Sequence, residues 1–191
     1  MQFPFADFDL MFLPGYGNST GAHWQAEWYA RLPGSSWAQM PTWLEPEADV
    51  WLHALDQQAA ACEKPLVVVT HSLGGLLMAQ WAPNARVPLA ACMMVAPPDP
   101  GSAVFPPVIQ GFADPTRRLP CPGLLVASTD DPYATMEWSR RSAATLGLEL
   151  ATVGACGHIN RDSGNGPWPA GELLFQGLVS SLTFPCQPRR N

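Results

Sequence analysis

The sequence has 191 residues, 47% of them hydrophobic and 14% charged, which suits one domain with a sizeable core and excludes a disordered chain. Ten Lys and Arg against sixteen Asp and Glu leave a net charge of -6, with Lys64 the single lysine. Nucleic acid and anionic membrane surfaces are therefore not expected as partners, since both need clustered basic residues.

Residues 1–8 read as a loose leader. Asp9-Leu10-Met11-Phe12-Leu13 is a short buried strand, cut by the loop Pro14-Gly15-Tyr16-Gly17-Asn18-Ser19. A glycine-bearing loop after a first strand can offer backbone N–H groups to an anion. This loop lacks G-x-G-x-x-G and the G-K-[ST] ending, so nucleotide phosphate is not the expected anion. A helix over 21–32, carrying His23 and Trp24, and an edge strand over 35–40 follow. Pro46 opens a helix that runs to Glu63, with Trp51, Leu52, Leu55 and Ala59 on one face. His53 falls off that face and is expected in solvent.

Leu66-Val67-Val68-Val69 is apolar and largely β-branched, as a parallel strand covered on both faces should be. It runs into Thr70-His71-Ser72-Leu73-Gly74-Gly75 and then into a helix that Pro83 stops. A serine pinched between strand and helix is held in a strained backbone, with its hydroxyl thrust above the sheet and the next N–H free to face an oxyanion. Small residues are needed two before and two after it. Gly74 meets the second requirement; Thr70 stands where the G-x-S-x-G pattern has glycine.

Leu89 to Val95 is another buried strand. Residues 96–122 are rich in proline, of which the chain holds 21, about twice the usual share of roughly 5%. They read as an ordered, irregular excursion with at most a short helix over 104–112, and not as a disordered linker, because Val104, Phe105, Val108, Ile109 and Phe112 need burial. Strands over 124–128 and 148–153 flank a helix over 134–146 that ends at Gly147. A loop over 162–169 surrounds Trp168, a closing helix spans 170–182, and 187–191 is a tail. Strands alternating with helices predict an α/β protein: a single domain over 1–191, with a short, mostly parallel sheet of about six strands covered on both faces. Ligands of such sheets bind beyond the carboxyl ends of the strands.

Those exits supply Ser72, the pair Asp130-Asp131 and His158, in the chain order Ser, Asp, His. A serine hydroxyl is a weak nucleophile until a neutral imidazole takes its proton, and the imidazole needs a carboxylate to fix its tautomer. Four histidines compete for the base. His71 adjoins Ser72 in a tight turn and must point away; His53 is mid-helix; His23 precedes the carboxylate. His158, beside Gly157 on an exit loop, remains. Asp131, held by Pro132, is preferred as the acid, with Asp130 the alternative. The N–H groups of Leu73 and Tyr16 are the expected oxyanion donors. Gly15, Asn18, Ser19, His23, Trp24 and Trp168 are expected around the pocket, with core packing an equal reading of Trp24.

Five cysteines at 62, 92, 121, 156 and 186 form no C-x-x-C pair and are read as free thiols in a reducing compartment, not as a zinc site. The acidic start at Asp7 and Asp9 shows no signal peptide, and no apolar run approaches the roughly 20 residues of a membrane span. The expected location is cytoplasmic.

The sequence resembles the small serine hydrolases grouped with the retinoblastoma-binding serine hydrolase, especially their bacterial relatives. The resemblance rests on L-P-G-Y-G-N-S at 13–19, H-W at 23–24, T-H-S-L-G-G at 70–75, G-F-A at 111–113, A-S-T-D-D-P-Y at 127–133, G-H-I-N at 157–160 and G-P-W-P at 166–169. It implies a three-layer α/β-hydrolase fold without a separate lid domain, and a triad falling on Ser72, Asp131 and His158, with the aspartate before the proline as the acid. It further implies a serine hydrolase that cleaves a small carboxylic ester or an amide through an acyl-enzyme on Ser72. The L-x-C-x-E motif through which the name-giving relative contacts a pocket protein is missing here. A small acyl substrate is the expected partner, with no metal or cofactor and the oligomeric state left open. The competing expectation is a non-catalytic binding or regulatory protein on a hydrolase scaffold, since fold does not fix function.

Overall fold

A computed structural model describes residues 7–182. The expected tail at 187–191 and most of the expected leader lie outside the described residues. Phe8, the last residue assigned to the leader, is buried in the core.

The elements in chain order are β1 (Asp9–Leu13), α1 (Trp24–Arg31), β2 (Ser36–Trp37), α2 (Ala48–Ala59), β3 (Leu66–His71), α3 (Leu73–Trp81), β4 (Leu89–Val95), β5 (Gly123–Ala127), α4 (Met136–Leu146), β6 (Glu149–Thr152) and α5 (Pro169–Ser180). The six strands form one sheet in the order β2-β1-β3-β4-β5-β6, and every neighbouring pair is parallel. All six residues of β3 are buried, as its unbroken apolar run requires at the centre of a sheet covered on both sides. Side chains alternate between the faces. Met11, Val68, Met94 and Leu125 join Trp51, Leu55, Leu76 and Trp138 beneath α2, α3 and α4. Phe12, Val67, Val69 and Val126 join Trp24, Trp28 and Phe175 beneath α1 and α5. The result is three layers.

From β1 the chain moves outward to β2, then returns to place β3 on the other side of β1. The crevice of such a sheet opens where the winding reverses, at the carboxyl ends of β1 and β3. The loop after Leu13 and the turn at Ser72 meet there.

Local chemistry sets the boundaries. Thr135 caps α4 by accepting from the Trp138 N–H at 3.1 Å, and Gly147 ends it in the left-handed region at φ 71°. The closing helix α5 starts on Pro169, whose fixed φ suits a first helical position. His23 lies just outside α1 and caps it, its Nδ1 accepting from the Gln25 N–H. The edge strand predicted over 35–40 shrinks to two paired residues. The helix predicted over 104–112 does not form, because Pro106-Pro107 in its interior removes two donors and bars the helical conformation before them. Residues 96–122 instead run as turns, tied down by a bridge between Glu47 and Gln110 and by buried Phe112 and Leu119. Val104 and Val108, assigned to the core on hydrophobicity, are exposed at 53% and 36%. Among the described residues the four cysteines are free thiols, and no helix is long and apolar enough to cross a membrane.

Candidate active site

Ser72 is the one residue between β3 and α3, and its backbone sits at φ 53° and ψ -125°. A non-glycine residue avoids this region, so the packing around it must enforce the conformation. Two glycines allow that packing. A Cβ on Gly74 would stand 2.4 Å from the Leu13 carbonyl oxygen, and one on Gly15 would stand 2.8 Å from the Ser72 Cβ. The loop after β1 and the first turn of α3 therefore interlock only because both positions lack side chains. Thr70 takes the place of the usual glycine before the serine. It is fully buried within β3, and its Oγ1 finds no partner among the described residues.

The Ser72 hydroxyl lies 2.8 Å from His158 Nε2, and His158 Nδ1 lies 3.0 Å from both carboxylate oxygens of Asp131. The partners fix the tautomer: Nδ1–H donates to the carboxylate, which leaves Nε2 to accept from the serine. Both side chains of the pair are nearly closed to water, at 9% for His158 and 3% for Asp131. Asp131 is itself held, its Oδ1 accepting from the Tyr133 N–H at 2.9 Å.

Asp130 does something different. Its Oδ1 accepts from the Ser128 hydroxyl and from the Gly157 N–H, each at 2.7 Å. Those bonds, the Ser128 hydroxyl first, hold its carboxyl below the ordinary range. Asp130 thus pins the His158 loop to the exit of β5, while Asp131 alone of the pair reaches the imidazole. The same loop is fastened by the Trp24 indole, which donates to the Ile159 carbonyl at 2.9 Å, and by Ser163 Oγ, which accepts from the His158 N–H at 3.0 Å.

A cavity of about 350 Å³ opens over Ser72. Tyr16, Asn18, Ser19, His23 and Leu73 line it. Leu73 opens α3, so its N–H belongs to the first turn, where no acceptor exists within the helix. Tyr16 lies inside the turn closed by the Asn18 N–H on the Gly15 carbonyl. Gly15 abuts the Ser72 turn without lining the cavity. Trp24 takes the core reading of its two, and Trp168, expected at the pocket, joins it: both are buried in a core cluster, with ring centres 5.0 Å apart. Large flat rings gain more from that cluster than from a wet mouth.

Sequence reasoning missed the other wall. Pro98, Phe105, Pro106 and Ile109 from the proline-rich excursion line it, together with Tyr133, whose ring packs edge-on to His158 at 4.6 Å. Tyr133 could have been found from its place two residues after Asp131. The excursion carries no such signal, because its apolar residues read equally well as core. Asn160, Arg161 and Asp162 complete the rim beside His158.

Three imidazoles cluster under the site. His71 centres 4.6 Å from His23 and 5.1 Å from His158. Its side chain avoids the serine, as expected, yet it remains in the site: its Nε2 lies 3.0 Å from the His158 carbonyl oxygen. Burial first, then the His158 charge, lowers the His23 pKa to about 4, and burial likewise holds His71 well below the ordinary histidine value. Among the described residues no group of three His, Cys, Asp or Glu side chains is placed to hold a metal ion.

The sequence profile of a family described as "Serine hydrolase" matches residues 10–177. A structure described as a YdeN-like hydrolase from Pectobacterium atrosepticum is 27% identical, covers 94% of each chain and superposes with a TM-score of 0.82. The ydeN gene product of Bacillus subtilis is 21% identical over 92% of this chain and 100% of its own, with a TM-score of 0.73. The Bacillus subtilis carboxylesterase CesB shares 12% identity over 94% of this chain and 84% of its own, with a TM-score of 0.58, a likeness of fold alone. No curated protein sequence matches.

Proposed function

The chain belongs to the serine hydrolase family and has the α/β-hydrolase fold, and from that premise we propose that it cleaves a small carboxylic ester, or an amide, through an acyl-enzyme on Ser72. The unbroken hydrogen-bonded line from Ser72 through His158 to Asp131 is the observation that carries this reading.

In the proposed reaction the Ser72 oxygen bonds to the substrate carbonyl carbon while its proton passes to His158 Nε2. Asp131 holds the imidazole in the receptive tautomer and stabilises the imidazolium. The N–H groups of Leu73 and Tyr16 donate to the oxygen that becomes negative, and one such donor is worth roughly 3–4 kcal/mol of transition-state stabilisation. The tetrahedral adduct collapses, the carbon–oxygen bond to the alcohol breaks, and His158 returns the proton to the departing oxygen. Water then repeats the sequence on the acyl-enzyme, with His158 as base, and releases the acid. The cavity of about 350 Å³ supports a small substrate, since it lies at the low end of ordinary ligand pockets.

A fluorophosphonate probe and a set of chromogenic esters of graded acyl length test the reading. Wild type is expected to label at Ser72 and to turn over the short esters. Ser72→Ala is expected to do neither. Labelling of both proteins to the same extent would remove Ser72 from its role.

A further inference from the structure

We propose that His71 is a positioning residue: its ring ties the turn that carries Ser72 to the backbone of the loop that carries His158. The proposal rests on the function assigned to Ser72 and His158 above. It explains a contact that the transfer of the proton does not use.

His71 immediately precedes Ser72 at the end of β3, and its side chain is buried. Its Nε2 lies 3.0 Å from the carbonyl oxygen of His158. A carbonyl can only accept, so His71 carries its proton on Nε2 and donates. The proton therefore sits on the nitrogen that faces the His158 main chain. His71 is also wedged on its other sides. The His23 ring centres 4.6 Å away and the Trp24 ring 6.0 Å away, at 86° to it. The ring has little freedom to turn and lose its bond.

The remaining tethers of the His158 loop run elsewhere. Asp130 and Ser128 hold Gly157 and Cys156 to the exit of β5. Trp24 holds Ile159 to α1, and Ser163 holds His158 to its own loop. None of these fixes the loop to the turn at Ser72. The bond from His71 does, one residue away from the serine and on the same residue as the base. It closes a short ring: Ser72 hydroxyl to His158 imidazole, along the His158 main chain to its carbonyl, to the His71 ring, and back to Ser72 through one peptide bond. The distance between nucleophile and base is thereby set by covalent geometry and two hydrogen bonds. Burial keeps His71 neutral: desolvation first, then the imidazoles of His158 and His23, lower its pKa and outweigh the bond to the His158 carbonyl, which raises it. The tie consequently persists across the range in which a histidine base works. The Asp131 carboxylate is engaged with His158.

Replacing His71 by leucine removes the donor and keeps an apolar filling; replacing it by glutamine keeps an N–H near the same place. Rates are taken per active site, counted by fluorophosphonate labelling, so that a loss of folded protein does not count as a loss of rate. His71→Leu is expected to lower kcat about tenfold or more while KM stays within about twofold, and His71→Gln is expected to recover most of the loss. An unchanged kcat per site in His71→Leu, or a loss confined to KM, would overturn the proposal. Should the leucine protein fail to fold, nitrogen-15 NMR of the wild-type imidazoles decides: His71 is expected as the neutral Nε2–H tautomer at neutral pH, and an Nδ1–H tautomer would overturn the tie. If wild type hydrolyses no ester and Ser72→Ala labels like wild type, the function has failed instead.

Discussion

At the scale of single residues, two adjacent aspartates with the same chemistry hold different posts. Asp131 faces the imidazole with both oxygens, whereas Asp130 spends Oδ1 on a hydroxyl and a backbone N–H. Their substitutions should separate accordingly. Asp131→Asn puts an amide where a carboxylate fixes the tautomer, and kcat is expected to fall by roughly 10³–10⁴ with the thermal midpoint nearly unchanged. Asp130→Ala frees the Gly157 N–H and loosens the loop, so the midpoint is expected to drop while kcat falls by only about tenfold. Steady-state kinetics beside thermal unfolding checks both; equal losses of kcat would contradict the division of labour. Sequence put both aspartates at the right strand exit and preferred the one before Pro132. It could not say what the other does, because one of its two partners, the Gly157 N–H, arrives from a loop 27 residues away.

At the scale of elements, the turn between β3 and α3 depends on what is missing. A Cβ on Gly74 would meet the Leu13 and Pro14 carbonyl oxygens at 2.4 and 2.7 Å, and backbone cannot swing aside like a flexible side chain. Gly74→Ala is expected to cost about 1–3 kcal/mol of stability, typical of overpacking. It should also lower kcat, because α3 must retreat from the loop carrying Tyr16, whose N–H we propose as an oxyanion donor. Thr135→Ala provides the contrast. It removes the cap of α4 at a cost of about 1 kcal/mol, and kcat should not change. Urea unfolding with ester kinetics on both variants tests the pair. The strand-turn-helix was legible because its apolar run, serine and glycines are contiguous. The excursion over 96–122 was less legible: Pro106 and Pro107 deny the backbone its donors, so not even a short helix forms over 104–112, and the segment becomes a wall of the cavity.

At the scale of the molecule, burial of imidazoles couples the site to stability. His23 has its pKa lowered to about 4, chiefly by desolvation, against 6.5 in an unfolded chain. Below pH 6.5 the unfolded state takes up a proton that the folded state refuses, so stability is fully present above pH 6.5 and is lost as pH falls towards 4. Between pH 7 and pH 5 this one group removes about 2 kcal/mol, and His71, shifted in the same direction, adds to the loss. Urea unfolding at the two pH values measures the difference. His23→Asn keeps a capping side chain and removes the titrating group, and it should shrink that difference; an unchanged difference would acquit His23.

Alternation of buried strands with helices, the serine between β3 and α3, and the Ser, Asp, His order were fixed by the sequence itself, since each is a local pattern of polarity and turn chemistry written in neighbouring residues. The tertiary structure alone decided that Trp24 and Trp168 belong to the core, that the proline-rich excursion lines the cavity, and that His71 reaches the His158 carbonyl. Each of these is a contact between segments far apart in the chain, and which of several possible neighbours a side chain meets depends on how the layers pack, a quantity no stretch of sequence carries alone.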